Sequence, residues 1–580
     1  MDTSSQHLDT YARPRAPASW GSLLPLPRQM ALDGSWVPFR PPVTRLDPAL
    51  PPQGYRLRIG RARVSLQAAD EAGAFYGHRT MDQLQRACGG ELPAGEVTDW
   101  PDRLVRGVML DISRAKVPTV QTLRDLADRL ASWKINQLQL YMEHTFPYAG
   151  HEDVWREASP VSPDEILSLD AYCRARHIEL VPNQNTLGHF ERWLRHSRYF
   201  PMAASPGGWR TDKGVHMEPM TLSPGPAARE LVQDLLGQLL PWFSSRRVNA
   251  GLDEPWELGD GRVGEWADWL VWLRSLPLLD GRELLIWGDV LASHPELLGS
   301  VPADVTICDW GYDADHPFGA RAAALAEAGI PFYLCPGTSS WNSIVGRLSN
   351  AKANCAAAAD AGNEHGAHGY LVTDWGNGGH LQYQPVAEAA LAYAAGAAWC
   401  AEANRDMDLA RVLDDVVFQD RNGQIGAAVT EMGDAYLALP GAMHDASPLT
   451  RHLWRPNTRV TEEPLGEATR DGFAEARERI TRGLRRLGGA SCQRADGELV
   501  TAELRAAGEL VTVLCDDAMA RFDGDGTLAS VPRRRRYELA SAVDELALSH
   551  RDLWLARNRP GGLDESVRQL EGLSHAYRNG

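Results

Sequence analysis

The chain has 580 residues, 44% apolar and 23% charged, which is enough for about two to four domains around a large buried core. Its net charge of -17 argues against an electrostatic nucleic-acid binder, since phosphate binding needs a basic surface. The one dense basic run, Arg533 to Arg536, reads as a solvated helix start.

The N-terminal MDTSSQHLDTYARPRAP lacks an apolar signal region, and no stretch reaches the length of a membrane span, so a soluble, cytoplasmic location without membrane contact is expected. The eight cysteines, Cys88, Cys173, Cys308, Cys335, Cys355, Cys400, Cys492 and Cys515, are scattered without metal-ligand spacing. They read as free, mostly buried thiols in a reducing compartment.

Residues 1 to about 50 are proline-rich and weakly periodic, and LPLPRQM and VPFRPP read as an extended arm or loosely packed edge. GYRLRIGRARVSLQAAD alternates like a hairpin around Gly60, and helical spacing follows through Ala72, Phe75, Tyr76, Met81 and Leu84. Residues 1–100 are therefore an N-terminal arm and a small α/β domain.

From Arg106 the texture becomes a repeated strand, loop and helix cycle. RGVMLDI, INQLQLYM, IELVPNQN, VNAGLDE, ELLIWGD, VTICDW, PFYLCPG and GYLVTDWGNGG are the strands. Ser162-Pro163-Asp164-Glu165 is a capping box with proline at the first helical position. Eight such cycles over ~290 residues predict a TIM (β/α)8 barrel, assigned to residues 101–404. No GxGxxG or Walker loop follows the first strand, which weakens a dinucleotide-binding alternative.

The barrel strands are apolar until their C-terminal ends, where they present Asp, Glu, His or Trp, and that is the face on which barrel sites are built. Trp287, Trp310, Trp341 and Trp375 are positioned to wall a sugar ring, whose C–H face packs on indole. In VNAGLDEPWELG the adjacent acids Asp253 and Glu254 end a strand that Pro255 interrupts, so both can turn into one cleft. An acid made less acidic by burial beside one that stays ionised is what acetal cleavage needs. Taken alone, an acidic dipeptide is commonplace; its place among these strand ends sets it apart.

After Cys400 the pattern is helical, in LARVLDDVVF, AELRAAGELVTVLCDDAMARF and RRRRYELASAVDELALSHRDLWLARN, giving an α-helical C-terminal domain over 405–580. The RNRPGG segment, Arg557 to Gly562, reads as a turn with a helix stop rather than a loop reaching a neighbour's site. The long helical tail offers an interface for a homodimer.

These ordered features resemble glycoside hydrolase family 20, the β-N-acetylhexosaminidases: Arg106-Gly107 with LDISR, FPY at Phe146 to Tyr148, Gly188-His189, and G-x-D-E at Gly251 to Glu254. Strand-end tryptophans in strands five, six and eight belong to the same pattern. The likeness spans about 50 to 400, and LDEPWELG with the helical C-terminal region resembles the intracellular bacterial and hexosaminidase D-like branch. Leu252 and Pro255 depart from the family's usual small and aliphatic residues, and Met142-Glu143 replaces its Asp-Asp before FPY.

The resemblance implies an exo-acting, retaining, substrate-assisted hydrolase of terminal β-linked N-acetylglucosamine or N-acetylgalactosamine, on a small carbohydrate or glycoconjugate. Glu254 is then the general acid, and Asp253 orients the acetamido group that acts as nucleophile. It assigns Arg106 to the sugar's hydroxyls, Glu143 to support of the site, His189 to tuning the acid, and Trp287, Trp310 and Trp375 to the pocket wall. Tyr333, Trp341 and Asp374 join the set by strand-end position. It implies no cofactor and no metal; Glu364, His365 and His368 read as helix-capping or solvent-facing. Two rivals stay open: a barrel glycosidase with an enzyme-borne nucleophile for non-acetylated sugars, and a silent carbohydrate-binding protein.

Overall fold

The computed structural model describes residues 23–580 except 89, 212–213, 442 and 464; the arm and leader readings made on residues 1–22 lie outside the described residues. Five strands form a first sheet: β1 (Gln29–Pro38), β2 (Val43–Leu46), β3 (Tyr55–Ile59), β4 (Val64–Ala68) and β5 (Glu91–Asp99), in the order β1-β5-β3-β4-β2. The helix Glu71–Cys88 covers one face through Tyr76, Met81 and Leu84.

This corrects the arm reading for 29–46, which is paired sheet. Two features hide the pattern. β1 breaks register between Leu32 and Trp36 opposite β5, a bulge that disrupts alternation, and β2 is an edge strand with every residue exposed. β5 escapes notice because it carries Pro93 and Gly95.

The second sheet closes on itself as β11-β12-β13-β14-β15-β6-β7-β8, eight parallel strands. They are β6 (Val105–Asp111), β7 (Gln137–Met142), β8 (Glu179–Gln184), β11 (Arg247–Asn249), β12 (Glu283–Trp287), β13 (Val305–Trp310), β14 (Phe332–Cys335) and β15 (Gly369–Asp374). A two-stranded hairpin, β9 (Trp209–Arg210) with β10 (His216–Met217), projects from the loop after β8. The eight runs read as strands are the eight barrel strands. Ser162 forms the expected capping box with Glu165, and Pro163 opens the helix Pro163–Arg174.

Alternation along each strand separates two environments. Val108, Leu138, Leu140, Leu180, Val248, Leu284, Ile286, Ile307, Leu334 and Val372 point outward into the core shared with the helices. Met109, Tyr141, Leu285, Trp287, Cys308, Tyr333, Cys335 and Leu371 point inward and fill the barrel. The same two-residue period decides which strand-end side chains reach the mouth.

Beyond the barrel the chain is helical, including Arg470–Leu487, Gly497–Phe522, Arg533–Arg557 and Leu563–Asn579. The RNRPGG segment clasps the loop that follows β6. Asn558 bridges to Pro118, the Arg557 carbonyl accepts from Thr119 N at 2.9 Å, and Arg559 N donates to the Val117 carbonyl at 2.8 Å. All eight cysteines are free thiols. Among the described residues, no helix is long and apolar enough to cross a membrane.

Candidate active site

The inward positions at the C-terminal ends of the strands converge on one mouth. β11 gives way to Gly251 (φ 73°), Leu252 (φ 71°), Asp253 and Glu254 (φ 49°), a loop in which three of these four residues take left-handed backbone before Pro255. Left-handed conformations in non-glycine residues are costly and cluster where geometry serves chemistry. Leu252 carries its side chain into the outer core, so the two acids after it are free to turn inward. Gly188 makes room: a Cβ there would lie 2.3 Å from the Asp253 carbonyl oxygen.

His189 bridges the two acids, with Nε2 3.1 Å from Asp253 Oδ2 and 3.5 Å from Glu254 Oε2. Asn185 Nδ2 donates to Asp253 Oδ1 at 2.8 Å. Burial alone would raise the Asp253 pKa, but the His189 cation and these hydrogen bonds outweigh it and hold the carboxyl below its ordinary value. Glu254 goes the other way: burial raises its pKa, Asp253 adds to the rise, and His189 only partly opposes it. The neighbouring acids are thus split into a stable anion and a proton carrier.

Arg114, on the loop after β6, stands over the rings of Tyr141 and Trp375 at 5.1 and 4.8 Å. Its Nη1 donates to Asp111 Oδ2 at 3.1 Å, while Nη2 lies 3.3 Å from His189 Nδ1 and 3.7 Å from Glu143 Oε1. Glu143 is buried, accepts from Tyr141 Oη at 2.9 Å, and its pKa is pushed up to about 7 by burial and by Glu191. Glu143, His189 and Glu191 have potential ligand atoms within 4.8 Å of one another, and the Arg114 guanidinium faces the Glu143 carboxylate of that group at 3.7 Å. Asp289 accepts from Glu254 N at 3.0 Å and from Trp310 Nε1 at 3.3 Å, and burial with Asp253 pushes its pKa up to about 7.

The walls are aromatic. Trp375 lies 4.8 Å from Tyr141 and 5.9 Å from Trp287, and Trp310 stacks on Tyr312 at 5.2 Å. Trp375 Nε1 donates to Tyr312 Oη at 2.8 Å. Trp341 is buried edge-on behind Tyr312 at 5.0 Å, so it backs the wall.

Asp253, Glu254, His189, Glu143, Trp287, Trp310 and Trp375 therefore come together, with Trp341 behind them. Three expected members do not. Arg106 is fully buried on the outward side of β6, where Nε donates to the Lys134 carbonyl at 2.9 Å and the guanidinium lies over Trp399 at 4.9 Å. It sits at the start of its strand, the wrong end and the wrong face; Arg114 holds the position expected of it. Tyr333 faces inward but near the barrel floor, beside Gly369, with Arg247, Glu283 and Gln137, the first residues of their strands, around its hydroxyl. Asp374 points outward between Thr373 and Trp375 and accepts from Thr338 Oγ1 and Ser340 Oγ at 2.7 Å each, which pins the loop carrying Trp341.

Arg114, Tyr141, Asn185, Glu191 and Tyr312 were not singled out from sequence, and Asp289 was read only as a strand end, without a role in the site. Arg114 carries a legible signal, since it follows its strand's end in LDISR and so belongs to the mouth. Tyr141 carries one too, two residues before Glu143 and on the same inward face. Tyr312 and Glu191 sit on loops, where no periodicity marks them.

Residues 22–100 match the family model described as glycosyl hydrolase family 20, domain 2, and residues 105–268 the one described as glycosyl hydrolase family 20, catalytic domain. A beta-hexosaminidase of Akkermansia muciniphila is 26% identical over 234 residues, covering 36% of this chain and 47% of that protein. Hexosaminidase D of Homo sapiens is 26% identical over 236 residues, covering 36% of this chain and 45% of its own length. The chain spans about half the length of the curated relatives it matches. A solved GH20 exo β-N-acetylglucosaminidase from Vibrio harveyi, in complex with N-acetylglucosamine, shares the fold with a TM-score of 0.56 at 16% identity, covering 68% of this chain and 76% of that one.

Proposed function

The chain belongs to glycoside hydrolase family 20, and from that premise we propose that it is an exo-acting, retaining β-N-acetylhexosaminidase working through an oxazolinium intermediate. The observation that carries this reading is the division of labour at His189: the Asp253 carboxyl is held below its ordinary pKa and that of Glu254 is raised by burial, with both acids facing an indole-walled mouth.

A terminal pyranose sits with its C–H face on the tryptophans and its hydroxyls toward the Arg114 guanidinium, whose planar fork suits paired oxygens. Glu254 donates its proton to the glycosidic oxygen as the bond from C1 to that oxygen breaks. The substrate's acetamido oxygen forms the new bond to C1 from the opposite face, and positive charge builds on the acetamido nitrogen. Asp253 accepts the N–H and stabilises that charge in a site shielded from water. The leaving group departs, Glu254 takes a proton from water, and the resulting hydroxide equivalent attacks C1 and reopens the ring. The anomeric configuration is retained without an enzyme-borne nucleophile, an exception to the usual two-carboxylate scheme.

The substrate is a terminal β-linked N-acetylglucosamine or N-acetylgalactosamine. Free thiols throughout the chain support a cytoplasmic setting, and the helical C-terminal region provides surface for a homodimer. The test is a panel of aryl β-glycosides with and without the N-acetyl group, assayed with a thiazoline mimic of the oxazoline. Turnover confined to N-acetylated substrates and inhibition by the thiazoline are expected. Equal turnover of the non-acetylated sugars overturns the reading.

A further inference from the structure

Two features near Glu254 are not used by the chemistry above. The first is Trp256, which follows the acid at once, donates its backbone N–H to the Glu254 carbonyl at 2.8 Å, and is nonetheless 52% exposed. Its ring is stacked on Trp209 of the β9–β10 hairpin, 6.0 Å between centroids and 24° between planes. The loop is held in place by Glu257, which accepts from Met220 N and Thr221 N at 2.7 and 3.1 Å. A large indole fixed this firmly and left open to solvent presents a flat apolar platform at the rim.

The second feature comes from the far end of the chain. Residues 443–447 fold back onto the mouth: Ser447 N donates to the Asn342 carbonyl at 3.1 Å, and His444 Nδ1 lies 2.7 Å from Asp313 Oδ2, which pairs through its other oxygen with Arg347 at 2.9 Å. Within this strap Asp445 adopts a left-handed backbone with φ of 51°. Its carbonyl accepts from Asn342 Nδ2 at 3.3 Å and Oδ2 lies 3.4 Å from His444 Nε2. Oδ1 is buried with no hydrogen-bond partner among the described residues. An orphaned carboxylate oxygen costs free energy unless something brings it a donor. Asp445 is close enough to Glu254 and Tyr312 for the charges to be felt: burial and nearby carboxylates, Glu254 among them, push its pKa up to about 6.

We propose that Trp256 and Asp445 form the two walls of a leaving-group subsite for a pyranose, the indole taking its C–H face and Asp445 Oδ1 accepting from one of its hydroxyls. This rests on the hydrolase reading, because an acid that protonates the glycosidic oxygen must have the departing group on its own side. Apolar platform and lone acceptor together match a sugar, which is flat and apolar on one face and rich in donors at its edge. A purely apolar aglycone leaves Asp445 unsatisfied, and a purely polar one leaves the indole pair uncovered. The C-terminal helical region thus contributes a residue to substrate choice as well as support to the barrel.

The experiment compares kcat/KM for N,N′-diacetylchitobiose with kcat/KM for β-N-acetylglucosaminyl azide, whose leaving group is too small to reach either wall. In Trp256→Ala and in Asp445→Ala the ratio is expected to fall about five- to ten-fold, the scale of one aromatic contact or one hydrogen bond. The change falls on KM for the disaccharide more than on kcat. A ratio unmoved in either variant, with the wild type active on both substrates, overturns the two-walled subsite alone. A wild type that turns over neither substrate overturns the hydrolase reading, and the subsite with it.

Discussion

His189 Nε2 lies 3.1 Å from Asp253 Oδ2, and the same nitrogen is 3.5 Å from Glu254 Oε2. One cation therefore acts on two carboxyls with opposite tasks. Asp253 must be ionised, which sets the acidic limb of the pH profile, and Glu254 must be protonated, which sets the alkaline limb. Removing the cation favours the protonated form of each acid, so both pKa values rise. In His189→Gln both limbs of kcat/KM should move to higher pH, by about one unit where about 1.4 kcal/mol of interaction is lost. A fall in rate with both limbs in place would show that His189 only shapes the pocket.

Glu254 is the more accessible of the pair, with 30% of its side chain exposed against 7% for Asp253. Glu254→Gln should keep the wild-type unfolding midpoint while lowering kcat on unactivated β-N-acetylglucosaminides by about 10²- to 10⁴-fold, the usual scale of general acid catalysis. The loss should shrink for a dinitrophenyl leaving group, which departs without a proton. An equal loss on both kinds of substrate would assign Glu254 a different role. Asp253→Asn should instead depress every N-acetylated substrate, whatever its leaving group.

Arg106 and Arg114 are eight residues apart and make opposite predictions. Arg106 is enclosed by backbone carbonyls and the Trp399 ring, away from the mouth. Arg106→Met should lower the unfolding free energy by about 1.5–3 kcal/mol, the scale of hydrogen bonds from a charged donor, and leave KM near that of the wild type. Arg114→Met should raise KM and lower kcat/KM, because the fork over Trp375 and beside His189 is gone. Denaturant melts and steady-state kinetics on the two variants distinguish them. A KM defect in Arg106→Met would restore the role read from sequence.

That reversal shows what sequence carries and what it omits. The eight barrel strands were legible because each is a short apolar run ending in polar or aromatic residues, and the capping box at Ser162 marked its helix without tertiary help. The alternation that makes Asp253 and Glu254 depend on a strand break also decides Asp374: Leu371, Thr373 and Trp375 alternate with it, so an inward Trp375 requires an outward Asp374. Height along the strand settles Tyr333 in the same way, since it follows the first residue of a four-residue strand and cannot reach the mouth. Tyr312 and Asp445 were beyond reach, because a loop backbone and a strap from roughly 130 residues downstream bring them together, and no local period encodes either.

The C-terminal helices are joined to the barrel by a buried chain of charges that ends at Arg557, against the segment that follows Arg114. Arg129 pairs with Glu388 at 3.1 Å, Glu388 with Arg494 at 2.5 Å, Arg494 with Asp496 at 2.7 Å, and Arg557 with both Asp496 at 2.9 Å and Glu503 at 2.8 Å. The Arg557 carbonyl also accepts from Thr119 N and from Thr122 Oγ1, at 2.9 and 2.6 Å, on the segment that begins at Arg114. Arg557→Met leaves Glu503 buried without its partner, so stability should fall by about 3–5 kcal/mol. Asp496, held well below its ordinary pKa by Arg494 and Arg557 against burial, gives the sign of the pH effect. A depressed native pKa stabilises the fold above the unfolded value of about 3.9 and loses that contribution as pH drops below it. The gap between wild type and Arg557→Met should therefore be widest near neutral pH and narrow in acid, read from denaturant midpoints across the range. If the loop is braced as the bonds imply, kcat/KM falls in the folded variant as well; wild-type kinetics at reduced stability would confine the clamp to holding the fold.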